Sequence, residues 1–87
     1  MARIRMYSRA GCLYCLHAEF ILKSKGMTDI ERIRVDLEPG RREEMVRMTG
    51  RRTVPQIYVG EVHVGGCADL AALEHAGDLD RLLASYS

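Results

Sequence analysis

The sequence shows no excess of charge of either sign and no long hydrophobic run. Thirteen Lys and Arg residues stand against twelve Asp and Glu, a formal net charge of +1, so overall electrostatics provides no attraction to nucleic acid or to an anionic membrane. The apolar runs are short, whereas a membrane-spanning helix needs about 20 residues. We therefore expect neither a nucleic-acid partner nor membrane insertion.

The sequence also has few cysteines, and its first residues do not resemble a secretory signal. Three cysteines in 87 residues are an odd number, which argues against a disulfide scaffold. Residues 1–9 interleave arginines with apolar residues, which is not the order of a secretory signal. We therefore expect a cytoplasmic protein, in which a closely spaced cysteine pair is typically redox-active or metal-binding.

Length and composition predict one small domain over residues 1–87. With 47% hydrophobic and 29% charged residues, the chain has enough apolar material to fold. At this size, folding buries only about 60% of the surface of the unfolded chain, so we expect a single core. The sequence contains no repeat, low-complexity tract or linker.

Hydrophobic periodicity predicts the element order βαβαββα and an α/β fold. Alternation over residues 3–7 indicates a strand, and helical spacing over residues 13–25 ends at Gly26. The remaining predicted elements are a strand through Ile30, Ile33, Val35 and Leu37, a helix between Pro39 and Gly50, strands over 56–59 and 62–64, and a helical stretch after Gly66 that breaks near Gly77.

Two apolar faces run along the first predicted helix. The first comprises Cys15, Ala18, Ile21 and Leu22, and the second comprises Leu13, Leu16 and Phe20. Apolar residues at helical spacing more often belong to a core than to a docking surface. We therefore expect the second face to pack against another helix.

A C-x-x-C pair, Cys12 and Cys15, lies where the first strand leads into the first helix. This places Cys12 at a helix N-terminus, where free backbone N–H groups and the helix dipole stabilise a thiolate, and Arg9 adds positive charge nearby. Cys15, one turn further on, is close enough to attack a disulfide formed on Cys12. The pair predicts a nucleophilic Cys12 and a resolving Cys15.

Two other interpretations of the cysteines remain open. Cysteines near a helix start are sometimes only small packing residues. Cys12 and Cys15 together with His63 and Cys67 also have the residue types of a zinc site. The zinc interpretation is disfavoured because the first pair opens a helix and His63 falls in a predicted strand, and we expect no metal.

Three motifs and a tyrosine follow one another in a distinctive order. They are Tyr7, the Cys-x-Tyr-Cys of residues 12–15, Thr53-Val54-Pro55 and the Gly-Gly-Cys-Ala-Asp-Leu of residues 65–70. Together they resemble the bacterial dithiol glutaredoxins, and the resemblance covers essentially the whole chain. It implies a single glutaredoxin domain with a thioredoxin-like fold, in which a four-stranded mixed sheet is flanked by helices.

The resemblance also implies which residues bind glutathione. These residues are Arg9, Tyr14, Arg51, Thr53, Val54, Pro55, Gly66, Cys67, Ala68 and Asp69. The family has a cis peptide bond at the position of Val54–Pro55, which brings the Val54 backbone beside the nucleophile to hold a peptide-like thiol. Backbone amides after Gly66 would face the γ-glutamyl carboxylate of glutathione.

Charged residues and two departures from the family complete the expected site. The resemblance assigns Asp69 to the ammonium of glutathione, and Arg9 and Arg51 to the carboxylate of its glycyl end. Leu13 replaces the proline usual between the cysteines, which leaves the reduction potential open. Ala68 stands where Ser or Asp is common, which implies weaker glutathione binding.

The function that the resemblance implies is glutathione-dependent thiol–disulfide oxidoreduction by a monomer. Cys12 would attack a protein disulfide or a glutathionylated protein, Cys15 would resolve the mixed disulfide with a protein, and glutathione would supply the electrons. One alternative is a glutaredoxin-like redoxin reduced by thioredoxin reductase. Another is a dimer in which Cys12 and glutathione from two subunits hold an iron–sulfur cluster.

Overall fold

The fold is known from a computed structural model, which describes residues 3–85. In chain order the elements are β1 (Ile4–Ser8), α1 (Leu13–Ser24), β2 (Ile30–Arg34), α2 (Arg41–Thr49), β3 (Gln56–Val59), β4 (Val62–Gly65), α3 (Cys67–His75) and α4 (Asp78–Ser85). The predicted order is confirmed. Gly77, with a φ of 79°, divides the last helical stretch into α3 and α4, as predicted.

β2 is shorter than its sequence pattern predicts. The alternation through Ile33, Val35 and Leu37 predicts a strand that reaches Leu37, but β2 ends at Arg34 and a turn follows. Val35 is buried in that turn, whereas Leu37 is 68% exposed. The predicted extension to Leu37 is therefore wrong, because a turn residue that packs inward prolongs the alternation beyond the strand.

The four strands form one mixed sheet in the order β2-β1-β3-β4. β1 pairs parallel with β2 and antiparallel with β3, and β3 pairs antiparallel with β4. The parallel pair requires a crossover, which α1 provides. These directions bring the last residues of β1 and β4 to the same end of the sheet as the first residue of β3. The loops at this end carry the candidate site.

A hydrophobic core lies on each face of the sheet. On one face the sheet packs against α1, α3 and α4, where Leu22, Leu70 and Leu79 are fully buried. On the other face, Tyr7 of β1 packs in a second cluster with Met45 of α2. The predicted thioredoxin-like architecture is confirmed. No helix within residues 3–85 combines the length and apolar character needed to cross a membrane.

The second apolar face of α1 is exposed to solvent. Leu13, Leu16 and Phe20 are 78%, 60% and 72% exposed, so the prediction that they pack against another helix is wrong. The first face is buried as predicted. That first face packs α1 against the sheet and α3.

Candidate active site

Cys12 is the N-cap residue of α1. Its backbone is extended, and its Sγ accepts a hydrogen bond from the backbone N–H of Cys15 at 3.4 Å. The side chains of both residues are buried, and both are free thiols. The pair therefore lies at the start of α1, where the sequence predicts it.

The two sulfurs differ in acidity. Burial raises the pKa of the Cys12 thiol, but hydrogen bonds from Cys15 and the positive charge of Arg9 outweigh it and hold that pKa below its ordinary value. Burial and the hydrogen bond to Cys12 raise the pKa of Cys15 to about 12. This arrangement favours a thiolate at Cys12 and a thiol at Cys15, as attack by Cys12 requires.

The loop before β3 brings a backbone carbonyl next to Cys12. The Val54–Pro55 peptide bond is cis, and the carbonyl oxygen of Val54 lies 4.0 Å from Sγ of Cys12. The fully buried side chain of Gln56 donates a hydrogen bond to the carbonyl oxygen of Thr53 at 2.9 Å. This bond holds the loop in place beside the sulfur.

A cleft of about 320 Å³ adjoins this loop. It is lined by Tyr14, Arg51, Thr53, Val54, Pro55, Gly66, Cys67, Ala68 and Asp69. The structure thus brings together nine of the ten residues that the resemblance assigns to glutathione. Arg9 is the exception, because it lines a separate groove of about 190 Å³ together with Cys12 and Cys15.

Arg51 and Asp69 form an ion pair in the cleft. Nη1 of Arg51 lies 2.7 Å from Oδ2 of Asp69, and the same oxygen accepts the backbone N–H of Gly66 at 2.9 Å. A Cβ at Gly65, where φ is 113°, would lie 2.8 Å from Cγ of Asp69. Sequence reasoning assigned both charged residues to glutathione and missed their pairing, since two opposite charges 18 positions apart carry no periodic signal.

Cys67, the third thiol, is buried at the start of α3. Its burial, and then the nearby charge of Cys12, raise the pKa of the Cys67 thiol above its ordinary value. His63, the fourth residue of the zinc interpretation, has its Nε2 2.8 Å from Oε1 of Gln56. Among residues 3–85, no three or more His, Cys, Asp or Glu side chains are grouped to hold a metal ion.

Comparison with known proteins establishes the family. A sequence model described as "Glutaredoxin" matches residues 4–64. The chain belongs to the glutaredoxin family. A glutaredoxin of Pseudomonas aeruginosa is 48% identical over 85 residues, which cover 98% of this chain and 100% of that protein. Family membership supports thiol–disulfide oxidoreductase activity for this chain.

Solved glutaredoxin structures share the fold. The solution structure of glutaredoxin from Brucella melitensis has a TM-score of 0.81 and 47% identity, and the match covers 95% of this chain and 89% of that one. The crystal structure of a buckwheat glutaredoxin–glutathione complex has a TM-score of 0.87 and 25% identity, covering 97% and 78%. The thioredoxin-like fold of the family therefore extends over nearly the whole chain.

Proposed function

We propose that the chain is a glutathione-dependent oxidoreductase that reduces protein disulfides and glutathionylated protein thiols. The observation that carries the proposal is the cleft beside Cys12, because nine of the ten residues implied for glutathione line it. The carbonyl oxygen of Val54, in the wall of this cleft, lies 4.0 Å from the Cys12 sulfur. The buckwheat relative was solved in complex with glutathione, which supports the same ligand here.

The charged ends of glutathione have matching partners in the cleft. The first-turn N–H groups of α3 are not used within the helix and suit the γ-glutamyl carboxylate. Asp69 suits the ammonium group, and Arg51, after leaving its ion pair with Asp69, suits the glycyl carboxylate at the other end of glutathione. The backbone of Val54 offers N–H and C=O groups to the cysteinyl part of glutathione. Bound in this way, glutathione presents its sulfur to Cys12.

Arg9 has a different role in this proposal from the one that the resemblance assigns. It lines the groove beside both cysteines instead of the cleft, and its positive charge contributes to the lowered pKa of Cys12. We therefore propose that Arg9 acts on the thiolate and that Arg51 takes the glycyl carboxylate.

Reduction of a protein disulfide requires two thiol–disulfide exchanges, the first by Cys12 and the second by Cys15. The Cys12 thiolate attacks one substrate sulfur, the substrate S–S bond breaks, and the departing thiolate takes up a proton. Cys15 then loses its proton and attacks the Cys12 sulfur, which releases the second substrate thiol and leaves a Cys12–Cys15 disulfide. Two glutathione molecules reduce this disulfide in turn and leave as glutathione disulfide, so two electrons pass from glutathione to the substrate.

Reduction of a glutathionylated thiol requires only Cys12. The thiolate attacks the glutathione sulfur, and the protein thiol leaves after taking up a proton. A second glutathione then attacks the glutathione held on Cys12, which regenerates the thiolate and releases glutathione disulfide. Cys15 takes no part in this cycle.

The test is turnover of a glutathionylated peptide with glutathione, glutathione reductase and NADPH, with thioredoxin reductase and NADPH run in parallel. We expect turnover only in the glutathione arm. Cys12→Ser loses both activities, whereas Cys15→Ser loses the reduction of protein disulfides and keeps deglutathionylation.

Three results would contradict this proposal or part of it. Turnover only with thioredoxin reductase would support the redoxin alternative. A brown dimer with absorption beyond the protein band would support the iron–sulfur alternative. Equal loss of deglutathionylation in both cysteine variants would refute the separate roles of Cys12 and Cys15.

A further inference from the structure

An apolar stripe on α1 begins beside the reactive cysteines. It consists of Leu13, Leu16 and Phe20, all of which are at least 60% exposed. Leu13 directly follows Cys12, and the other two lie one and two turns further along the helix. Large apolar side chains that form a contiguous exposed patch mark an interaction surface.

A groove connects the apolar stripe to both sulfurs. Its volume is about 190 Å³, and Cys12, Cys15, Leu16 and Arg9 are among its lining residues. It shares no lining residue with the cleft proposed for glutathione. A molecule joined to the Cys12 sulfur can therefore reach the groove and the stripe without occupying the glutathione cleft.

The surface around α1 is short of free carboxylates. Glu19 is the only acidic residue among the first 28, which include five Lys and Arg residues. Its side chain is 14% exposed and is paired with Arg32 and, at 3.7 Å, with Lys23. Within residues 3–85, the Arg9 guanidinium donates only to the neighbouring carbonyl of Ala10, at 3.4 Å. Asp36, whose carboxylate accepts the N–H of Ala10, is paired with Arg34 at 2.7 Å. An incoming carboxylate is therefore favoured here over a cation.

We propose that the stripe and the groove bind the protein half of the substrate. The matching segment carries a large apolar residue and an acidic residue close to the cysteine that is reduced. This inference rests on the proposed function, because it assigns the substrate class of the same redox site. The apolar residue packs on Leu16 and Phe20, and the acidic residue faces Arg9.

The length of the stripe limits where these residues lie in the substrate. From Cys12 to Phe20 the helix rises about 12 Å at 1.5 Å per residue. An extended segment covers that distance in about four residues. The apolar residue therefore lies within about four positions of the substrate cysteine, and the acidic residue lies closer to it.

The experiment compares the reduction of three peptide disulfides, each made of two copies of a single-cysteine peptide. The first peptide has Asp next to the cysteine and Leu three positions on, the second has Lys in place of that Asp, and the third has Gln in place of that Leu. The small 2-hydroxyethyl disulfide is the reference substrate. Glutathione, glutathione reductase and NADPH supply the electrons.

The protein variants are Leu16→Gln, Phe20→Gln and the two combined. Leu37→Gln is the matched control, because Leu37 is similarly exposed, at 68%, and lies in the turn after β2. We expect kcat/KM for the first peptide to fall at least about tenfold in the combined variant. Leu37→Gln keeps the wild-type value, and all variants reduce 2-hydroxyethyl disulfide equally well. The wild-type protein prefers the first peptide to the other two.

Several results would overturn the inference. Equal kcat/KM for the three peptides with the wild-type protein would show that the protein does not select for the acidic and apolar residues. A loss in Leu37→Gln as large as that in the combined variant would show that the effect does not come from the stripe. A dimer seen by sedimentation that disappears in the combined variant, with unchanged peptide kinetics, would assign the stripe to a second copy of the chain.

Failure of the proposed function has a different signature from failure of the docking inference. In that case the wild-type protein reduces none of the disulfides with glutathione, including the small one. The same peptides and variants are then run with thioredoxin reductase as the electron donor. A tenfold loss that persists there supports the stripe, and unchanged kinetics overturn it.

Discussion

Arg51 and Asp69 face each other across the cleft, with Nη1 and Oδ2 2.7 Å apart. One residue lies in the loop after α2 and the other in the first turn of α3. The same Asp69 oxygen accepts the backbone N–H of Gly66 at 2.9 Å, so the carboxylate ties the start of α3 to the loop. Two charges proposed to recognise glutathione therefore also organise the cleft.

Asp69→Ala should destabilise the fold more than Arg51→Ala does. The ion pair is solvent-exposed, so Arg51→Ala should cost less than about 0.5 kcal/mol. Asp69→Ala also removes the acceptor for the Gly66 N–H, and should cost about 1 kcal/mol. Urea unfolding of the three proteins at pH 7 measures the difference. Equal losses would show that the backbone hydrogen bond contributes nothing.

The stabilisation by Asp69 should disappear in acid. The hydrogen bonds from Arg51 and then from Gly66 hold the pKa of Asp69 below its ordinary value. A carboxyl whose pKa is depressed by folding stabilises the native state above its unfolded pKa, about 3.9, and loses that contribution as the pH falls through the folded value. The difference in the free energy of unfolding between the wild-type protein and Asp69→Ala should therefore have its full value at pH 6 and decrease below about pH 4. A difference in unfolding free energy that does not depend on pH would contradict this prediction.

Gly65→Ala should damage the cleft, and Gly77→Ala should not. Both glycines have positive φ, 113° and 79°. Alanine at either position therefore strains the backbone and destabilises the protein by about 1 kcal/mol or more. Only at Gly65 would the added Cβ also meet a side chain, 2.8 Å from Cγ of Asp69, whereas nothing lies within 4 Å at Gly77. We expect a raised KM for glutathione in Gly65→Ala alone. Equal KM values would show that the cleft adjusts.

The reactivity of Cys12 with iodoacetamide should depend on Arg9. The charge of Arg9 helps to lower the pKa of Cys12, against the opposing effect of burial. Arg9→Gln should therefore shift the pH profile of alkylation to higher pH, and Arg47→Gln on α2 is the control. Cys12→Ser should remove the fast phase altogether. An unshifted profile in Arg9→Gln would assign the acidity to the hydrogen bonds alone.

Tyr7 should lose its proton only in strong base. Burial, and then the hydrogen bond to Glu44 at 2.6 Å, raise the pKa of Tyr7 to about 12. The pKa of Tyr7 is higher in the folded state than in the unfolded state, where it is about 10. Its contribution to stability is therefore fully present below pH 10 and declines as the pH rises toward 12. Tyr7→Phe should cost about 1.5 kcal/mol at neutral pH. Titration of tyrosine absorbance should lose its step near pH 12 in that variant.

Local sequence patterns predict most of the fold, and they fail where tertiary contacts decide. The alternation of β1 and the break at Gly77 are local signals, and both are confirmed. The spacing of Leu13, Leu16 and Phe20 indicates an apolar face but carries no information on whether another element covers it. Their exposure could be learned only from the packed structure.

The candidate site divides in the same way. The position of Cys12 before Cys15 at a helix start follows from the C-x-x-C spacing and the preceding strand. Its neighbour Val54 is 42 positions away, and the cis bond to Pro55 was implied by the family resemblance alone. The pairing of Arg51 with Asp69 had no sequence signal, because it depends on how two separate loops meet.

The groups that make Cys12 more acidic come from one short stretch of chain. The groups that lower the pKa of Cys12 against the effect of burial, Arg9, Tyr14 and Cys15, all lie within residues 9–15. The wall of the cleft comes mainly from residues 51–55 and 66–69. Under the proposed function, substitutions in those two loops that keep the Val54 backbone beside Cys12 should change ligand recognition and leave the groups that lower the pKa of Cys12 in place. The proposed recognition loops and the proposed nucleophile therefore occupy separate parts of the sequence and can be varied separately.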